Sequence, residues 1–356
     1  MKVMNGYMWM LCIIVVVAAG VFLFNGASFA DRGANQQHNK QENPPTGKLD
    51  MIGDIGDYVP GEIDDPVHDP ALLRTDDAYY VFSTGILRSV DDPGGIYVRK
   101  SEGTLEGPWE AIGEIPVPEW VTDYHSEHLW APQAIEYDNT YYLYYAVSSF
   151  GSNRSAIGVL SSETPHDLNS WVDHGPILTS EPGVTDYNAI DSHVFEAEGS
   201  LWIVYGSHFS GIKLQKMDNP TDVSSGELVT LQNRPSVQHN PVEAPTIIEK
   251  DGYYYLFTSW DQCCAGTDSS YKIAVGRAES VAGPYIDQQG QPLAEGGGTV
   301  ILESEGNQIG PGGQDIFQAY GQDYLIHHYY DGDAAGVIRM QIRTLSWEDH
   351  WPTVDR

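Results

Sequence analysis

Three carboxylates, Asp69, Asp191 and Glu243, occupy matching places in a repeated pattern of the chain. Asp69 and Asp191 each open an apolar stretch, in DPALL and DSHVF, and Glu243 comes directly before the equivalent stretch APTII. In a chain with 50 Asp and Glu residues a single acid is more simply a solvated or turn-capping group. Register across repeats is what separates these three. Two carboxyl groups facing a glycosidic bond can hydrolyse it, one protonating the leaving oxygen while the other activates water or attacks directly. Aromatic residues beside them would stack on sugar faces.

The repeat itself predicts the elements that position these groups. A polar or small residue, an apolar stretch, a tight Asp, Asn or Gly turn and an aromatic-rich strand recur five times, starting at residues 69, 131, 191, 244 and 314. Each copy contains a hairpin signal, and the spacing holds about four short strands, one blade of a β-propeller. Five copies therefore predict an all-β, five-bladed propeller, with a two-sheet sandwich as the alternative, and the three acids at the starts of innermost strands around one channel mouth. The 37 Gly and 21 Pro break the chain too often for long helices. With 18 Lys and Arg against the 50 acids the formal charge is −32, which excludes nucleic acid and anionic membrane surfaces as partners and favours a neutral or cationic ligand. The same acidity suits a salt-adapted protein, or simply an acidic exported one.

The amino terminus reads separately. Lys2, an apolar run from Met8 to Phe24 and the small residues up to Ala30 form a secretory signal peptide over 1–30, with an uncleaved membrane anchor as the alternative. Residues 31–51 have the composition of a flexible, solvated linker, and the catalytic propeller is expected over 52–356. Cys12 leaves with the signal peptide, and Cys263 with Cys264 is too sparse for a disulfide scaffold or a zinc site. A bond between these neighbours would be strained, so a disulfide and two free, buried thiols are both open.

The segments HDPALLRTDDAYYVFSTG, LWAPQAIEYDNTYYLYYAVSSFGSNRSAIGVLSS, YNAIDSHVF, YGSHFSGIKLQKM, VEAPTIIEKDGYYYLFTSWDQCCAG and HHYYD carry a resemblance in their order and spacing. From about Pro66 to Trp351 the chain resembles glycoside hydrolase family 43, and within it the endo-α-1,5-L-arabinanases. The resemblance implies a five-bladed propeller and inversion of configuration. It makes Asp69 of HDP the general base, Glu243 of EAP the general acid, and Asp191 of NAID the residue that orients that acid and adjusts its pKa. It also implies arabinan and arabino-oligosaccharides as binding partners, no protein partner, a monomer, and a largely hydrated calcium ion at His328 of HHYYD. Chemistry alone would instead give His328 a hydrogen bond to water or substrate, since imidazole is an unusual ligand for a hard cation. His327, its strand neighbour, should face the opposite way.

Departures from the family pattern fall at Gln133, Ser192, Gly313 and His208, none of which removes a catalytic carboxyl. For the groove, Trp130, Phe150, Asn153, Ser155, Asn188 and Ser210 are expected to bind sugar by stacking and by hydroxyl and amide hydrogen bonds. Packing between blades is the alternative role for Trp130 and Phe150.

Overall fold

The computed structural model describes residues 66–355. The signal peptide over 1–30, the linker over 31–51 and the first residues of the expected domain lie outside the described residues.

Five antiparallel sheets follow one another along the chain, each made from one contiguous segment. Their innermost strands are Ala71–Arg74, Trp130–Tyr137, His193–Ala197, Val242–Lys250 and Gln308–Ala319. Four sheets have four strands and the third has five, a short strand pairing with its third strand beside the regular path. This is the five-bladed β-propeller that the repeat predicts.

Alternation explains the packing. Each second strand lies between two others in its own sheet, and its faces meet the neighbouring blades, so its residues are mainly apolar or aromatic. Tyr79–Ser83 is buried throughout, and Tyr253–Trp260 is buried after its first residue. Five apolar clusters result, one per junction. Blades 1 and 2 meet through Phe82, Ile96, Leu143 and Tyr145, for example, and blades 3 and 4 through Val204, Leu214, Leu256 and Trp260.

The ring closes, among the described residues, without an exchanged strand. Val67, Leu72 and Val81 of blade 1 pack on Ile326, Met340 and Ile342 of blade 5, and Asp315 Oδ2 accepts the Leu72 amide at 3.0 Å. Similar bonds tie other neighbours: Gln133 accepts from and donates to the main chain of Val194, and Thr246 donates to the Gln314 carbonyl. Burial pushes the Asp315 carboxyl up to about 6 despite its two amide donors.

Candidate active site

One backbone feature recurs where the innermost strands begin. Asp69, Ala131, Asp191, Ala244 and Gly313 all have left-handed φ, between 40° and 56°. Most residues avoid this region, so its appearance at the same step of all five blades marks a built kink. In blades 2, 4 and 5 the pairing also slips there, between Trp130 and Gln133, Glu243 and Thr246, and Gly312 and Asp315. Such bulges re-aim side chains. Here they turn the first residues of every blade into one central cavity, lined by Asp69, Gln133, Asp191, Ala244, Gln314 and Asp315 among others. Asp69 and Asp191 share that cavity, and Asp191 Oδ2 accepts the amide of Ala244, the residue after Glu243, at 3.3 Å.

The three carboxyls lie in different surroundings. Asp69 Oδ2 is 2.7 Å from both His68 Nδ1 and the donating Thr84 hydroxyl, whose oxygen in turn accepts the Ala131 amide. Burial opposes ionisation of Asp69, but His68, His328 and Thr84 outweigh it and hold its carboxyl well below the usual range. Asp191 is pushed the other way, well above the usual range, by burial first and then by the charges of Glu243 and Asp69. Glu243, 9% exposed, accepts hydrogen bonds from the Tyr271 hydroxyl and, at 2.5 Å, from Ser207 Oγ. Burial and the neighbouring acids raise the Tyr271 phenol well above its ordinary value, so it remains a donor.

The departures from the family pattern acquire physical content. Gln133 clamps the main chain of blade 3 with both amide atoms, which a carboxylate could do only in part. Gly313 lies so close to Asp69 that an added Cβ would stand 2.3 Å from its Oδ1. The Ser192 hydroxyl lines the cavity and is buried without a partner. His208 donates from Nδ1 to the His239 carbonyl, leaving Nε2 3.7 Å from Glu243 Oε2.

The expected groove residues divide. Phe150 is 82% exposed and is not inter-blade packing, whereas Trp130 is half-buried beside His128. The Trp130 indole nitrogen and the Ser210 hydroxyl are buried without partners. Asn153 donates to the carbonyls of Thr185 and Tyr187, and Ser155 donates to Asn188 Oδ1 at 2.7 Å. The structure thus joins Asn153, Ser155 and Asn188 in a buried network that holds two loops together. Residues the sequence reading missed, Thr84, Ser207 and Tyr271, carry no motif signal of their own, since each matters only through a carboxyl in another strand. Cys263 and Cys264 are bonded to each other, and neither is buried, which replaces the free-thiol alternative.

His68, Asp69 and His328 form a cluster able to coordinate a metal ion, with potential ligand atoms all within 4.8 Å of one another. His68 and His328 stack at 3.8 Å. His328 is fully buried, its Nδ1 accepts the Asp69 amide, and its Nε2 has no partner. Burial depresses its basicity well below the ordinary imidazole value. His327 is buried as well and bonds the His328 carbonyl.

Five kinked blades that gather acids around one channel define a carbohydrate-hydrolase type of site, and comparison agrees: residues 63–352 match the model of glycosyl hydrolases family 43, to which the chain belongs. It is 37% identical over 297 residues to the extracellular endo-alpha-(1->5)-L-arabinanase 1 of Bacillus subtilis, covering 82% of this chain and 89% of that one. It is 34% identical over 308 residues to the extracellular exo-alpha-(1->5)-L-arabinofuranosidase ArbA of Cellvibrio japonicus, covering 81% and 86%. The structure of a Cellvibrio cellulosa alpha-L-arabinanase complexed with arabinohexaose superposes with a TM-score of 0.74 at 33% identity, over 82% of this chain and 95% of that one.

Proposed function

We propose that the protein is an exported hydrolase that cleaves internal α-1,5-L-arabinofuranosidic bonds of arabinan with inversion of configuration. The observation that carries this reading is the set of three carboxyls at or directly beside the shared kink of blades 1, 3 and 4, each with its own hydrogen-bond partners. Asp69, held ionised, is the general base and takes a proton from water. Glu243 is the general acid and protonates the leaving oxygen, with Ser207 and Tyr271 fixing its carboxyl. Asp191 orients it through the Ala244 amide, its own carboxyl pushed up by burial and by the charge of Glu243.

Arabinan and arabino-oligosaccharides, neutral and flexible, suit a site entered past exposed Phe150 and half-buried Trp130. Ser210 and Asn188 are the polar groups for sugar hydroxyls, while Asn153 and Ser155 act by holding the loops. Export agrees with the leader-like residues 1–30, and the Bacillus subtilis relative is named extracellular. Among the described residues no helix is long and apolar enough to cross a membrane.

The unpartnered Nε2 of His328 could hold a cation only with the ring proton on Nδ1, so the Asp69 amide bond to Nδ1 would have to give way to a contact of that proton with Asp69 Oδ1, now 3.5 Å from Nδ1. Calcium, which prefers oxygen, would take its other ligands from water. Such an ion would supply positive charge beside Asp69 and favour its ionised form.

The exo-acting reading shares all three carboxyls, and one relative is named for that activity. Product length separates the two. Incubation with linear arabinan should first release mixed short oligosaccharides; arabinose as the only early product would transfer the chain to the exo-acting class.

A further inference from the structure

One chain of hydrogen bonds ends on Asp69 from outside the central cavity. The Cys264 amide nitrogen is 2.8 Å from the Tyr330 hydroxyl, that hydroxyl is 3.0 Å from His68 Nε2, and His68 Nδ1 is 2.7 Å from Asp69 Oδ2. An amide N–H only donates and an ionised carboxylate only accepts, so the two ends give the chain one direction in a neutral ring. The Tyr330 oxygen takes the Cys264 hydrogen, its own hydrogen goes to His68 Nε2, and the ring proton sits on Nδ1, facing Asp69. The opposite tautomer would set a ring lone pair against a carboxylate oxygen at the same 2.7 Å.

We propose that Tyr330 is a positioning residue, which by anchoring Nε2 of His68 holds in place the ring whose Nδ1 proton orients the Asp69 carboxylate. This rests on the reading of Asp69 as the base. A tyrosine that merely packs has no need of its hydroxyl; this one is buried, with its hydroxyl engaged on both sides. The Cys263–Cys264 pair, which has no other evident task, acquires one: the bonded cysteines close the turn that presents the Cys264 amide. Orientation matters because Oδ2 also takes the Thr84 hydroxyl. Oδ1 is then the oxygen left for the attacking water.

The test uses the whole protein labelled with 15N-histidine at pH 7. The His68 resonance, identified among the 12 histidines by its loss in His68→Asn, should show a protonated Nδ1 and an unprotonated Nε2. Tyr330→Phe should leave that proton on Nδ1, where Asp69 holds it, but free the ring at Nε2 and lower kcat on a linear arabino-oligosaccharide by roughly tenfold or more, with KM within about twofold, since misplacing a reacting group by about 1 Å costs up to about a hundredfold. Asparagine donates to Asp69 without Tyr330, so adding Tyr330→Phe to His68→Asn should cost little further. A protonated Nε2 in the wild type, or an equal loss of kcat on removing the hydroxyl in both backgrounds, overturns the proposal. An unchanged kcat in Tyr330→Phe overturns it as well, whereas near-normal activity in Asp69→Asn would instead remove the base on which it rests.

Discussion

Asp191 Oδ2 accepts the Ala244 amide at 3.3 Å, which ties the residue following Glu243 to an acid of the preceding blade. The bond orients, while burial and the charge of Glu243 make an ionised Asp191 costly.

Asp191→Asn keeps an acceptor for that amide and removes the charge, so it should separate the two effects. A carboxyl raised in the folded state contributes stability that is full at low pH and is lost as pH climbs from its ordinary value of 3.8 through the raised one. The variant should therefore melt higher than the wild type at pH 7 and show no such gain at about pH 4. Its kcat should fall. The alkaline limb of its pH profile should move to lower pH, because the last proton of a coupled acid pair is held less firmly once one charge is gone. A lower melting temperature at pH 7, or an unmoved alkaline limb, would contradict the assigned coupling.

Gly313 tests how closely the kink fits the base. Ala131 and Ala244 carry a side chain at the same left-handed φ, so the backbone alone does not require glycine there. The distinguishing fact is the 2.3 Å approach of an added Cβ to Asp69 Oδ1. Gly313→Ala should cost about 1–2 kcal/mol of stability from the conformation and lower kcat by roughly a hundredfold through displacement of Asp69. Denaturant melts and steady-state kinetics read the two losses, and a variant with wild-type kcat would show that Asp69 has room to spare.

For the metal, exhaustive chelation should lower activity and added calcium should restore it. His328→Ala should give the same loss without rescue. If chelation changes neither rate nor melting temperature, His328 is a hydrogen-bonding residue and calcium is withdrawn.

Much of the architecture was legible because a propeller writes the same sentence five times. The turn between DPALL and YYVFS, or between APTII and YYLFT, is hairpin chemistry wherever it occurs. The kinked positions could be aligned from these copies alone, which is why the acids stood out. Their partners could not. Ser207 meets Glu243 across a blade junction, and Thr84 and Tyr271 meet their carboxyls within a blade but 15 and 28 residues along the chain, separations that no local pattern records. Asn153 and Ser155 show the complementary limit: a polar residue predicts a hydrogen bond without saying to what, and here the partners in the structure are main-chain carbonyls and Asn188.

Carboxyl replacement probes the chemistry itself. Asp69→Asn and Glu243→Gln should each lower kcat by about 10²–10⁴ or more, the usual contribution of a positioned acid or base, with melting temperatures showing that the propeller remains folded. Near-normal activity in either variant would remove that residue from the mechanism.

The central claim, single displacement by Asp69 acting on water opposite Glu243, is tested most directly by the anomer formed first. Linear α-1,5-arabino-oligosaccharide is mixed with enzyme in an NMR tube, and proton spectra are taken before mutarotation mixes the products. The account predicts β-configured reducing ends at the earliest times, because a base that activates water delivers it to the face opposite the leaving group. Initial α product would mean that a carboxylate attacks the sugar directly, and would contradict the assignment of Asp69 as a base.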